Sequence, residues 1–195
     1  MPIYTLMLFV HIVGAIGTFV GVGVWLFAAL ALRRTQTVGQ VRALTSLIQP
    51  SGVLAIVSIL LLGVAGFYMG ITVWGERATW IIVATISFLL LAPFGVFVID
   101  PRLRAVAKAA AAAPDGPLPE TLATHTRDPL AGIGLSVYIC VLLGIVFLMT
   151  TKPSTGVSIL AMVVATLLGL ISGVLLLLGA RTRSREDVPT HIGRT

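Results

Sequence analysis

Charged residues are scarce in this sequence. Only 10% of the 195 residues are Asp, Glu, Lys or Arg, whereas 57% are hydrophobic. An ordinary soluble domain is about 25% charged. A water-soluble fold of this composition would expose far more apolar surface than soluble monomers tolerate. The composition therefore excludes a soluble globular domain and indicates that a lipid bilayer surrounds the chain.

Cysteine and the common catalytic motifs are also nearly or wholly absent. The single cysteine, Cys140, excludes a disulfide framework and any metal site built from several cysteines, so we expect it to pack as a small side chain. The sequence contains no HExxH, no glycine-rich phosphate loop and no GxSxG. No serine or threonine in the apolar runs has a general base nearby other than His11. These absences favour a non-enzymatic protein.

Long apolar runs are what the sequence does contain. Each run is long enough to cross a hydrocarbon layer of about 30 Å as a helix, whereas barrel strands would be short and alternating. We therefore predict an all-α polytopic transmembrane bundle of one domain with five spans, at residues of about 3–32, 50–69, 79–99, 129–150 and 156–179. A loop over 100–128 and a disordered basic tail over 181–195 complete the prediction. No acidic residue lies within a span to couple protons or sodium ions.

Basic residues are unevenly distributed between the loops. Of the 13 Lys and Arg residues, all except Arg77 and Lys152 fall in the first loop, the third loop and the C-terminal tail. The positive-inside rule then places the N-terminus outside and the C-terminus in the cytoplasm. The net charge of +6 is thus explained by membrane orientation, and we expect the basic loops to contact anionic lipid rather than nucleic acid.

The loops carry signals of their own helices. Apolar residues over 38–48 recur at helical spacing and predict an amphipathic helix, either on the inner leaflet or as an extension of the second span. Asp100 and Asp128 each precede a proline, which predicts two N-caps. The alanine-rich helix after Asp100 should end before Pro114, and Pro93 should kink the third span.

His11 is the one histidine inside a predicted span. It lies about 12 Å along the helix from Ile3, and a polar ring at that depth is costly unless it is hydrogen-bonded. One hypothesis is a neutral imidazole bonded to a neighbouring helix through Ser58, Ser136 or Tyr138. The others are a proton relay, or a haem or metal ligand.

The cofactor hypothesis depends on the residues that share the His11 stripe. On a period of 3.6 residues, the same face carries Gly14, Thr18, Gly21 and Trp25. The groove over Gly14, Thr18 and Gly21 would leave room for a flat macrocycle such as haem. The second axial position would then fall to a methionine, at Met7, Met69 or Met149.

Small residues recur at intervals of four in several spans. The pairs are Gly17 with Gly21, Gly66 with Gly70, Gly132 with Ser136, Cys140 with Gly144, and Gly169 with Gly173. Such stripes let helix backbones approach closely in lipid. They suit both packing within one chain and self-association. The basic third loop is the predicted docking surface for a protein partner.

Several sequence blocks resemble one family in order. They are YTLMLFVHIVGAI, WIIVATISFLLLAPFGVFVIDPRLRAV, GPLP with RDPL downstream, and GIVFLMTTKP. Together they resemble the bacterial predicted integral membrane proteins grouped as domain of unknown function 2269, and the resemblance extends nearly to the last span. It implies a multi-pass protein of the bacterial cytoplasmic membrane, and it implies no reaction. A looser similarity, to the haem-binding membrane protoporphyrinogen oxidase and the copper-resistance D family, is limited to His11, Gly14 and Trp25 and transfers no activity.

Two functional hypotheses follow from these observations. The first is a non-enzymatic integral membrane protein that acts through helix packing, partner docking or a small bound ligand. The alternative is a haem- or metal-binding redox protein that uses His11.

Overall fold

The chain is built from α-helices throughout its described part. The computed structural model describes residues 3–74 and 78–186, without the side chains of residues 74 and 179–186. The helices are α1 (Ile3–Leu32), α2 (Val38–Thr45), α3 (Ile48–Met69), α4 (Thr79–Phe94), α5 (Asp100–Ala112), α6 (Glu120–Thr126), α7 (Pro129–Thr151) and α8 (Thr155–Glu186). Two π-helical segments, Gly70–Trp74 after α3 and Gly95–Ile99 between α4 and α5, extend them.

Five of the helical segments are long and apolar enough to cross a membrane. Large apolar side chains cover their outer surfaces, and Phe27, Leu90 and Phe97 are 73%, 71% and 75% exposed. This arrangement is stable only where hydrocarbon, not water, surrounds the helices. The predicted all-α bundle of five spans is thus confirmed.

The buried core lies towards the end of the bundle that holds the first and third loops. Its side chains include Val22 and Leu32 of α1, Leu103 of α5 and Leu135 of α7. Trp25 is buried in the same cluster, and its indole N–H donates to the Ile48 carbonyl over 3.2 Å. Trp25 therefore packs between helices.

The first and third loops form a folded cap on this end. The amphipathic helix predicted for the first loop is α2, and its buried residues Val38 and Val41 belong to the same apolar cluster as Leu103 and Val106 of α5. The apolar face of α2 is therefore covered by α5. The candidate span over Val38–Val73 includes α2, which agrees with the predicted alternative of an extension of the second span.

Hydrogen bonds fasten this cap. The Arg42 guanidinium donates to the Ala110 carbonyl over 2.9 Å and also to the Ala113 carbonyl, and it pairs with Asp115 at 2.5 Å. Nearby, each loop donates one backbone hydrogen bond to the other: the Val38 N–H donates to the Gly116 carbonyl over 3.1 Å, and the Leu118 N–H donates to the Gln36 carbonyl over 2.8 Å. The loops at this end are therefore held together by backbone acceptors as well as by apolar packing.

The two Asp–Pro signals behave differently. Asp128 is an N-cap as predicted, since its carboxylate accepts from the Leu130 N–H over 2.9 Å; it also pairs with Arg102 at 3.3 Å. Asp100 is not a cap, because α4 continues through the π-helical segment into α5 and leaves no helix start there. Its carboxylate instead pairs with Arg104 at 2.6 Å.

The ends of the other elements can be compared with their predicted bounds. The alanine-rich helix α5 ends at Ala112, before Pro114 as expected. Pro93 lies inside α4, two residues before the π-helical segment begins at Gly95. The helix α8 continues to Glu186, past the predicted end of the fifth span. Residues 187–195 of the predicted tail, and Arg77, lie outside the described residues.

Candidate functional site

The glycine-bearing face of α1 lies directly against α3. A Cβ atom at Gly14 would be 2.6 Å from the Leu62 backbone nitrogen, and one at Gly21 would be 2.8 Å from the Ala55 Cβ. Thr18 is buried between them and donates its hydroxyl to the Gly14 carbonyl over 2.8 Å. The second span therefore fills the groove in which sequence reasoning placed a macrocycle. The packing interpretation of these glycines is confirmed.

The last two spans pack in the same way. A Cβ at Gly169 would be 2.5 Å from the Val137 Cα, and one at Gly173 would be 2.8 Å from the Ile133 Cα. Each of these contacts joins α8 to the backbone of α7. The small-residue pair of the last span is thus used for packing within the chain.

His11 is held by a backbone group of the second span. Its Nδ1 lies 2.9 Å from the Leu62 carbonyl oxygen. The expected hydrogen bond to a neighbouring helix is present, but its predicted partners Ser58, Ser136 and Tyr138 are wrong. Gly66 explains the difference: a Cβ there would be 2.8 Å from the His11 Cε1. The ring occupies the space that a side chain at position 66 would fill, and its Nδ1 therefore reaches the Leu62 carbonyl of the α3 backbone.

This bond fixes the tautomer of His11. A carbonyl oxygen only accepts hydrogen bonds, so Nδ1 carries the proton that is donated to Leu62. In a neutral imidazole the other nitrogen, Nε2, is then an acceptor. Among the described residues, Nε2 has no hydrogen-bond partner. It is the ring nitrogen available to a ligand.

His11 lines a cavity of about 380 Å³ between four of the spans. The cavity lies in the half of the bundle opposite the folded cap. Its wall is made by His11 of α1, by Leu62, Gly63, Val64, Gly66 and Phe67 of α3, by Ile81, Ala84, Thr85, Phe88 and Leu89 of α4, and by Ile145 and Met149 of α7. Gly14, Thr18 and Gly21 are not part of this wall.

Polar groups are few in the cavity and are available for binding. Besides His11, the wall contains the Thr85 hydroxyl and the Met149 thioether. The Thr85 hydroxyl has no hydrogen-bond partner among the described residues, whereas Ser87 in the same helix donates to the Val83 carbonyl over 2.8 Å. An apolar cavity with a small number of convergent polar groups is the usual form of a small-molecule site.

The family model described as "Predicted integral membrane protein (DUF2269)" matches residues 5–153. The chain belongs to this family. No curated protein and no solved structure matches it. In this DUF2269 protein, the matched region contains every residue that lines the cavity, while α8 lies outside it.

Sequence reasoning found only part of this site in the DUF2269 protein. It singled out His11, and it named Met149 as one of three methionines that could accompany it. It missed Thr85, Phe67 and Phe88, because a threonine or phenylalanine in an apolar span gives no signal of the side it faces. Among the described residues, no three His, Cys, Asp or Glu side chains form a group that could hold a metal ion.

Proposed function

We propose that this integral membrane protein binds a small, mostly apolar ligand with a polar head in the His11 cavity. The observation that carries the proposal is a cavity of about 380 Å³ in which the His11 Nε2 and the Thr85 hydroxyl have no hydrogen-bond partner among the described residues. The volume lies within the range of about 300–1,000 Å³ typical of ligand sites.

The energetics favour such a ligand. In lipid an apolar wall has no hydrophobic preference for one hydrocarbon over another. The polar groups therefore select the ligand, because each polar group in an apolar cavity is costly until it is hydrogen-bonded. A ligand hydroxyl can donate to Nε2 of His11 and leave its own oxygen to accept from Thr85. The bond from Nδ1 to Leu62 holds the imidazole in place before the ligand arrives, which reduces the entropic cost of binding.

Photolabelling tests this proposal. The probe is a 4-alkylphenol with a diazirine beside the ring, added to the protein in nanodiscs, and its methyl ether is the control that cannot donate a hydrogen bond. We expect saturable labelling of cavity residues such as Phe67 and Phe88 by the phenol. A lost hydrogen bond of about 1.4 kcal/mol weakens binding about tenfold, so His11→Phe should reduce labelling by that factor.

A matched variant and the methyl ether control show whether the labelling is specific to the cavity. His125→Phe is the matched variant, because His125 is exposed on α6, near the opposite end of the bundle, and it should label like the wild type. Labelling spread evenly over all lipid-facing helices, or equal labelling by phenol and ether, would overturn the proposal.

We infer that the protein lies in the bacterial cytoplasmic membrane with the folded cap inside and the His11 cavity in the outer half. Support comes from the basic residues: Arg42, Arg102 and Arg104 lie in the cap, where they suit anionic lipid, and Lys152 lies at the opposite end after α7. In a Cys140→Ser background, Arg104→Cys and Lys152→Cys should label with a membrane-impermeant maleimide from opposite sides. Labelling from one side would refute this orientation.

A second candidate function is ligation of haem iron or a soft metal ion by His11. It is favoured by Met149, whose thioether lines the same cavity, because an imidazole and a thioether together ligate haem iron in some cytochromes. The protein purified from its native membrane should then show a Soret band or bound copper that is lost in His11→Ala. A colourless, metal-free protein that still labels with the phenol would reject this candidate.

A further inference from the structure

The wall of the His11 cavity is incomplete on one side. Val64 and Phe67 of α3 and Leu89 of α4 line the cavity, yet they are 69%, 67% and 62% exposed. Residues that both line a cavity and face outwards mark its mouth. The mouth therefore lies between α3 and α4, the second and third spans.

This mouth opens into hydrocarbon rather than water. Leu89 is ten residues after the start of α4 at Thr79, which is about 15 Å along the helix. Val64 is ten residues before the end of the π-helical segment at Trp74, a similar depth. Both positions are near the middle of a layer of about 30 Å. A molecule that enters here comes from within the bilayer.

The aromatic side chains of the wall indicate the chemistry of the head that enters. Phe88 presents a partly buried ring and Phe67 presents a ring at the mouth, and an aromatic ligand can pack favourably against both. His11 and Thr85 supply an acceptor and a hydroxyl. A hydroxylated aromatic ring can contact all four side chains, and a cavity of about 380 Å³ has room for such a ring, since a cavity of about 150 Å³ already holds benzene.

We propose that the ligand is a membrane lipid with a hydroxylated aromatic head, which enters sideways between the second and third spans and leaves its hydrocarbon tail in the bilayer through the mouth. This inference rests on the proposed function and adds the class of ligand and its route. The tail passes Val64 and Leu89 while the head contacts His11 and Thr85.

The Phe88 ring lies beside this mouth. A Cβ at Gly63 would be 3.2 Å from the Phe88 Cε1, so the ring of α4, and not a backbone contact, reaches α3 at this point. One residue further along α3, Val64 is exposed. Larger side chains at the mouth should therefore obstruct a tail without a change in the His11 end of the cavity.

The first experiment locates the head and the tail of a bound phenol separately. Two 4-dodecylphenol probes carry the diazirine either beside the ring or at the far end of the tail, and both are added to the protein in nanodiscs. The near diazirine should label Phe67 and Phe88, and the distal one should label lipid-facing residues of α3 and α4 beside the mouth. Distal labels on α8 or on the segment between α7 and α8 would overturn the lateral route.

The second experiment obstructs the mouth. Val64→Trp and, separately, Leu89→Trp should weaken the binding of 4-dodecylphenol about tenfold more than that of 4-methylphenol, which has no tail. Val163→Trp is the matched control, because Val163 is 49% exposed on α8, and it should change neither. Both variants should fold, since they replace lipid-facing side chains.

The outcomes separate this inference from the proposed function. If both phenols bind the wild type and neither mouth variant discriminates between them, lateral access is wrong while the cavity remains a ligand site. If neither phenol labels the cavity of the wild type, the proposed function fails and the inference fails with it.

Discussion

Gly14→Ala tests the packing that positions His11. The added Cβ would be 2.6 Å from the Leu62 nitrogen and 2.9 Å from the Ser58 carbonyl oxygen. These are backbone atoms of α3, so no side-chain rotation relieves the contact. Carbon atoms pack optimally at about 3.5–4.0 Å, and α1 and α3 must therefore move apart by about 1 Å at this point.

The expected cost follows from that separation. A gap of about 0.5–1 Å forfeits a quarter to a half of each dispersion contact, and overpacking of this kind costs about 1–3 kcal/mol. His11 is one helical turn from Gly14, so the bond from its Nδ1 to Leu62 should lengthen as well. We therefore expect Gly14→Ala both to unfold more easily and to label less with the phenol.

The assay is unfolding in mixed micelles with increasing SDS, followed by circular dichroism. Gly23→Ala is the matched control, because it lies in the same helix and a Cβ there meets nothing within 4 Å. It should be as stable as the wild type or slightly more stable, since alanine favours a helix. Equal stability of Gly14→Ala and Gly23→Ala would refute the close backbone contact.

Substitutions at four other residues probe the folded cap, the core and the N-cap of α7. Arg42→Ala removes the donors to two carbonyls near the end of α5, so limited proteolysis of the third loop should accelerate several-fold. Asp115→Asn should have little effect on that rate, because Asp115 is 85% exposed and surface ion pairs contribute about 0–1 kcal/mol to stability. Trp25→Phe leaves a buried carbonyl without its indole donor, and we expect a loss of about 1 kcal/mol in SDS unfolding. Asp128→Ala should cost about 1 kcal/mol, whereas Asp128→Asn keeps a capping oxygen and should stay near the wild-type stability.

The five-helix bundle could be predicted because the sequence of each span determines that span's helix. A run of about 20 apolar residues specifies a spanning helix whatever its neighbours are, since the bilayer leaves the backbone no other partners. The predicted N-cap at Asp100 was wrong for a cause that is not local to the sequence. An Asp–Pro pair caps a helix only where the preceding residues are not helical, and here α4 continues through Gly95–Ile99 into α5. Ile99, at the end of that segment, is buried in the apolar cluster.

The folded cap escaped sequence reasoning because its contacts are distant in the chain. Arg42 bonds to the Ala110 and Ala113 carbonyls, and a backbone carbonyl carries no residue-specific signal. The apolar face of α2 was visible in the spacing of Val38 and Val41, but the sequence does not show whether lipid or protein covers it. The cap thus appears only once α2 and α5 are placed together.

The glycines explain why the site itself was only half visible. Gly14 and Gly21 face backbone or a small side chain of α3, whereas Gly66 faces the His11 ring and Gly63 faces the Phe88 ring. The first kind brings helices together, and the second makes room for aromatic side chains that line a cavity. Both kinds look alike in an apolar sequence, because each is simply a residue without a side chain. A ring opposite a glycine does not by itself mark a binding site, because Gly52 faces Trp25 and Gly95 faces Tyr138 inside the packed core. Which of these rings borders a cavity depends on the arrangement of four helices and has no local signal in the sequence.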